Sequence, residues 1–405
     1  MEMPRRSALN LWATLAAIPA ALLLPNIVNA AANDLGSKAT YARSKNGPPA
    51  DPNFFPIAVW LQSPKNAARY KAAGMNVYVG LWRGPTEEQL QTLKEAGVRL
   101  ICAQNSTGLS NKENPLIIGW MHGDEPDNAQ AKPGGNGYGP PILPEKIVAN
   151  YQKIRTADPT RPVLLNMGQG VAWDNYIGRG VRRNHPEDYN EYVKGCDIAS
   201  FDIYPAVHSD AAVAGKLEFV AQGVERLVRW AGPDRIIWNC IEASRISNLK
   251  TKPTAEQIRS EVWMSLIHGS RGIIYFVHQF KPMFQEASLL EDEELLQSVT
   301  ALNKQIQDLA PVLNSPTIAK AVEVRSSAED IPIASMVKQH GGASYVFAVN
   351  MRNQPTRGLF KIAGSADDGS IEVLQESRAL KAHKEEFTDE FSGYGVHLYR
   401  TAAEQ

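Results

Sequence analysis

Cysteine is scarce in this chain. Its 405 residues include three, Cys102, Cys196 and Cys240. The count is odd and none falls in a C-x-x-C spacing, so neither a disulfide framework nor a thiolate metal site is expected. Each reads as a buried thiol. An excess of either charge is also missing: the formal net charge is −1, which gives no basic field for nucleic acid and no acidic tail. There is no H-E-x-x-H, no H-x-H after the first apolar run and no G-x-S-x-G, so the usual marks of metal-dependent and serine hydrolases are absent. Gly134–Gly139 is glycine-rich but runs into Pro140-Pro141. It reads as a flexible lid near the fourth strand, not as a phosphate loop. No cofactor and no metal are implied. Long apolar runs are lacking except near the start, where Leu11–Leu24 is interrupted by Pro19 and is short for a membrane span. Arg5 and Arg6 precede that run and Val28-Asn29-Ala30 follows it. Residues 1–30 therefore read as a secretory signal peptide, with no membrane contact beyond a signal anchor, and predict a secreted or periplasmic protein. Residues 31–53 read as a flexible lead-in.

What is present is alternation. Eight apolar runs read as strands: Pro56–Leu61, Asn76–Trp82, Arg99–Ala103, Leu116–Met121, Pro162–Met167, Ile198–Tyr204, Arg235–Ile241 and Gly272–Val277. Most are continuously apolar, as in strands covered on both faces. Helical patterns separate them, two opening with the capping boxes Thr86-x-x-Gln89 and Thr254-x-x-Gln257. The link from Ala103 to Leu116 has room only for a short or irregular helix. Residues 54–313 thus predict a (β/α)8 TIM barrel, with a doubly wound open sheet as the alternative. From residue 314 to 405 the segments are short, alternating and rich in β-branched residues, which predicts a small C-terminal β-sandwich.

Two glutamates stand at strand ends. Glu125 follows the fourth run in Gly123-Asp-Glu-Pro126, and Glu242 follows the seventh in Asn239-Cys-Ile-Glu242. Parallel strands present one end together, so both carboxylates are expected on one rim. A carboxyl pair there suits glycoside hydrolysis, one acid/base and one nucleophile or base. The charge of a neighbour should raise the pKa of Glu125, with Glu242 remaining ionised. Parity along the sixth strand sends Asp202 and Tyr204 inward. Trp60, Trp82 and Trp173, near strand ends one, two and five, are candidates for stacking on sugar rings. Arg83, His122, Asn166 and His278 are candidates for hydroxyl contacts.

These residues resemble the retaining glycoside hydrolases of clan A, whose barrels carry Asn-Glu-Pro at the fourth strand end. This chain has Asp124-Glu125-Pro126, then Asp202-Ile-Tyr204-Pro205 and Ile241-Glu242-Ala243. The resemblance implies that Glu125 is the acid/base, Glu242 the nucleophile and Tyr204 its hydrogen-bond partner, with a carbohydrate substrate. Asp124 departs from the pattern. An Asp accepts a hydrogen bond from a sugar 2-position but, when ionised, donates none. The rival readings are a non-catalytic carbohydrate-binding or surface-scaffold protein, and an inverting enzyme.

Overall fold

The computed structural model describes residues 41, 43–362 and 369–401; the signal segment, residues 1–30, lies outside them. All eight predicted strands form. They are β1 (Ile57–Trp60), β2 (Val77–Val79), β3 (Arg99–Ala103), β4 (Ile117–Met121), β5 (Val163–Met167), β6 (Ile198–Phe201), a seventh position split into β7 (Ile236–Ile237) and β8 (Asn239–Glu242), and β9 (Ile273–Phe276). Neighbours pair in parallel from β1 through to β7, and β1 also pairs with β9, which pairs with β8. The ring closes through the split. The amide of Trp238 donates to Ala199 O on one side (3.0 Å), and that of Asn239 donates to Gly272 O on the other (3.1 Å). The open-sheet alternative is thereby set aside.

Helices follow the strands: α1 (Ala67–Ala72), α2 (Glu87–Ala96), α3 (Ser106–Ser110), α4 (Pro144–Ala157), α5 (Tyr189–Tyr192), α6 (Glu218–Ala231), α7 (Ala255–Ile267), α8 (Glu293–Asp308) and α9 (Ala310–Leu313). Both capping boxes form with reciprocal bonds, at Thr86/Gln89 and Thr254/Gln257. The third helix is the expected stub. The lumen is filled by Ala58, Val77, Val79, Ile101, Leu164, Ile198, Trp238, Cys240 and Ile274, a packed core rather than a pore. Tyr41 joins it. Its hydroxyl accepts from Trp238 Nε1 (3.0 Å) and donates to Arg271 O (3.4 Å). The lead-in is therefore anchored at this point instead of free, because a buried indole N–H needs an acceptor.

Beyond the barrel lie two antiparallel sheets. One orders β10 (Val322–Ser326), β13 (Thr356–Ile362) and β16 (Glu386–Phe391). The other orders β11 (Ile333–His340), β12 (Ala343–Asn350), β17 (Val396–Thr401), β14 (Ser370–Val373) and β15 (Arg378–Lys381). They pack over Val346, Phe360, Phe387, Phe391 and Tyr399. The outer face of the larger sheet rests on α7, where Trp263 stacks on Phe347 at 5.1 Å.

Candidate active site

The C-terminal ends of the strands surround a cavity of about 930 Å³. Its walls come from Trp60–Pro64, Trp82, Asp124, Glu125, Gln169, Tyr176, Asp202, Tyr204, Ile246, Phe276, His278 and the loop carrying Phe280, Phe284 and Glu286. A bulge in β4 decides what the fourth strand presents. Leu100 pairs with Ile117, yet Ile101 pairs with Gly119, leaving Ile118 as the extra residue. The bulge reverses the side-chain parity that follows. Trp120 turns to the helices and donates to Asp158 Oδ2 (3.0 Å), and Met121 packs against the lumen. His122 turns outward, donating from Nε2 to Gly195 O (2.8 Å) and accepting at Nδ1 from Asn150 (3.1 Å). Its place as a sugar contact is corrected by this parity, and burial lowers its pKa.

Glu125 then enters the cavity from a left-handed backbone, φ 41°. Asp127, fully buried, holds this turn. It accepts from Gly168 N (2.9 Å) and Tyr189 Oη (2.7 Å). Burial, and next the charge of Asp124, push the Glu125 carboxyl up to about 7, while a hydrogen bond with Asp202 works against them. Asp202 is 9 % exposed. Burial, then Glu125 and Asp124, hold it well above the carboxylate range. Tyr204 Oη donates to Asp202 Oδ2 (3.1 Å). Two carboxyls in contact do not both ionise readily, so the pair keeps a proton near neutrality. Asp124 lines the cavity and is open to solvent, and desolvation by the protein around it raises its pKa as well. Asn166 Nδ2 donates to Asp124 Oδ1 (3.0 Å) and Ser200 Oγ donates to Asn166 Oδ1 (2.8 Å), which fixes the orientation of that amide.

Glu242 does not line this cavity. It is fully buried, and its Oε1 accepts from Ala206 N at 2.6 Å. The unpaired amides that open the Pro205–Val207 turn draw the carboxylate there. Its other neighbour is the carboxyl of Glu261 on α7. Burial, with no cation at hand among the described residues, pushes Glu242 up to about 8. The expectations of an ionised Glu242 beside Glu125, and of Tyr204 serving Glu242, are both corrected: Tyr204 serves Asp202.

Of the other predicted contacts, Trp60 and His278 line the cavity and Trp82 stands at its mouth, 68 % exposed. Arg83 lies over the Trp82 ring at 5.8 Å and does not reach the wall. Trp173 is behind the wall, packed on Tyr176 (6.0 Å) and His208 (5.6 Å), and Tyr176 presents its face instead. Gln62 Oε1 accepts from Tyr70 Oη (2.7 Å), so its amide nitrogen faces His278 Nε2 (3.2 Å), which must accept. An aromatic series climbs from floor to rim: Tyr204, Phe276, His278, Phe280 and Phe284, with successive rings 5.2–6.1 Å apart. The glycine-rich segment Gly134–Gly139 adds nothing to the wall. Sequence reasoning missed Asp127, Gln62, Gln169, Tyr176 and Glu286. For Gln62 the signal was its place just after the first strand; the others sit in polar loops that carry no pattern.

Solved structures share this architecture. AmyP in complex with maltose is 10 % identical, with 91 % of this chain and 99 % of that one covered and a TM-score of 0.53. An AmyP variant in complex with maltotriose gives 9 %, 91 %, 99 % and 0.54. The noncanonic maltogenic alpha-amylase AmyB from Thermotoga neapolitana gives 9 %, 87 %, 100 % and 0.50. Likeness at such identity is likeness of fold: a TIM barrel followed by a β-sheet domain. No family model and no curated protein sequence matches the chain.

Proposed function

We propose that the protein is a glycoside hydrolase acting on an oligo- or polysaccharide, with Glu125 as its general acid and then general base. One observation carries this reading: the Glu125 carboxyl lines an aromatic-walled cavity, poised to about 7 and in contact with the proton-holding Asp202. Such a group protonates a leaving oxygen near neutral pH and can take a proton from water afterwards. AmyP, which shares the fold, forms complexes with maltose and maltotriose, which supports a carbohydrate ligand here. We read the outcome as retention, by two displacements. Glu242 is withdrawn from the cavity, so the first displacement needs another nucleophile. We also propose export, on the strength of residues 1–30; fractionating cells that express the full chain tests it.

Glu125→Gln should lower turnover by roughly 10²–10⁴-fold on a glycoside that the wild type cleaves, with the anomer formed first read by NMR. Undiminished turnover would remove Glu125 from the reaction. The withdrawal of Glu242 is the observation that favours the second reading, a binding-only protein. Sugar binding without any product from a panel of polysaccharides and aryl glycosides would establish it.

A further inference from the structure

Glu242, the carboxyl that would serve as nucleophile opposite Glu125, is withdrawn from the cavity. Retaining pairs stand ~5–5.5 Å apart, with the sugar between them. Asp202 is hydrogen-bonded to Glu125 itself, so the two carboxyls approach from the same side. Glu286 is tied into the wall by Ser63 N at 2.8 Å. One aspartate, Asp124, faces the cavity with acceptor capacity to spare. Asp124 uses Oδ1 for Asn166 and is open to the cavity. The left-handed turn at Glu125 places the Asp124 and Glu125 carboxyls in one site. Beneath them is an apolar floor, where Trp60, Tyr204 and Phe276 pack in one cluster. The site therefore asks its substrate for a hydrogen-bond donor next to the reacting carbon, with a small apolar group attached.

We infer that the substrate is a 2-acetamido-2-deoxy-glycoside that supplies its own nucleophile, an inference that rests on the glycosidase reading above. Glu125 gives its proton to the glycosidic oxygen as the bond from that oxygen to C1 breaks. The amide carbonyl oxygen of the substrate attacks C1 from the opposite face. Asp124 accepts the amide N–H, orients the group and takes up its proton as the oxazoline ring forms. The methyl group lies on the aromatic floor. Water then attacks C1 and gives a proton to Glu125. The bond from C1 to the amide oxygen breaks, its electron pair returns to the amide, and Asp124 gives the proton back to nitrogen. One water is consumed, no other reactant is needed, and two inversions retain configuration.

The test assays the purified protein on α- and β-linked aryl glycosides in pairs that differ only at C2, acetamido or hydroxyl. Cleavage of an acetamido member should exceed that of its hydroxyl partner by on the order of 100-fold. The rate should fall stepwise as fluorines are added to the N-acetyl group, since they weaken the carbonyl nucleophile. A sugar-fused thiazoline should compete with substrate. Asp124→Ala should lose far more in kcat than in KM, and wild-type inhibition by the thiazoline decides the matter if that variant does not fold. Hydroxyl members cleaved equally well, with no effect of fluorine, would overturn this inference and leave the glycosidase reading standing. Covalent labelling of Asp202 or Glu286 by a 2-fluoro-2-deoxy glycoside would do the same. No cleavage of any member would overturn both.

Discussion

Glu125 sits in a backbone conformation that costs a non-glycine residue of order 1–3 kcal/mol, and its positive φ aims its carboxyl where Asp202 and Asp124 act on it. Because a general acid must be protonated, kcat/KM should fall as pH rises through an apparent value near 7. That value belongs to the Glu125–Asp202 pair rather than to either residue. Asp124→Asn should shift the limb downward by removing the negative charge that raises Glu125, whereas Asp202→Asn, which keeps a neutral group there, should not; pH–rate profiles of the two variants would show it. Glu242 behaves differently. Its folded pKa, about 8, lies above its ordinary 4.5, so the native state binds more protons than the unfolded state between those values. Stability tied to this group is full below pH 4.5 and is lost as pH rises toward 8. Glu242→Gln keeps an oxygen for Ala206 N and cannot ionise. It should flatten the decline in Tm over that window, be worth on the order of 3 kcal/mol at pH 7, and leave turnover largely intact. Loss of activity like that of Glu125→Gln would instead restore Glu242 as a nucleophile.

At the scale of elements, a single bulge at Ile118 sets the fourth strand's presentation, moving His122 out and leaving Glu125 in. The loop after β9 sets the mouth. A bridge between Gln279 and Gln285 holds it as a short hairpin, with Phe280 and Phe284 exposed. Faces of this kind suit sugar rings beyond the one being cleaved. Phe284→Ala and Trp82→Ala should therefore raise KM for a long oligosaccharide by roughly tenfold, equivalent to ~1.4 kcal/mol, with little change for an aryl monosaccharide. Equal effects on both substrates would place these rings at the cleavage site instead.

Across the whole molecule, one apolar cluster runs from barrel to sandwich. Trp263, Phe347, Val349, Tyr394 and Leu398 belong to the same core as Leu100 and Tyr275. Tyr394 Oη also reaches back to donate to Glu218 Oε2 (2.6 Å) on α6. Domains joined this way should melt together. Calorimetry should show one transition, and Trp263→Ala should destabilise both parts by ~3–5 kcal/mol. Two separated transitions in the wild type would show that the interface does not couple them.

The amino-acid sequence by itself determined a parallel sheet wrapped by helices. Eight apolar runs, most of them continuous, alternate with helical segments and call for cover on both faces, and the Thr86 and Thr254 caps are encoded within four residues. Closure into a ring was decided by the pairing of β9 with β1 and β8. The sequence also marked Glu125, Asp124 and Asp202 at strand ends. It could not determine what a carboxyl at such an end points toward. Bulge placement, the pull of the Ala206 amide on Glu242, and the convergence of Gln62, Tyr176 and Glu286 on one cavity depend on contacts between segments far apart in sequence. Strand periodicity put two glutamates on one rim; only tertiary packing decided that one of them faces the cavity and the other is shut against Glu261.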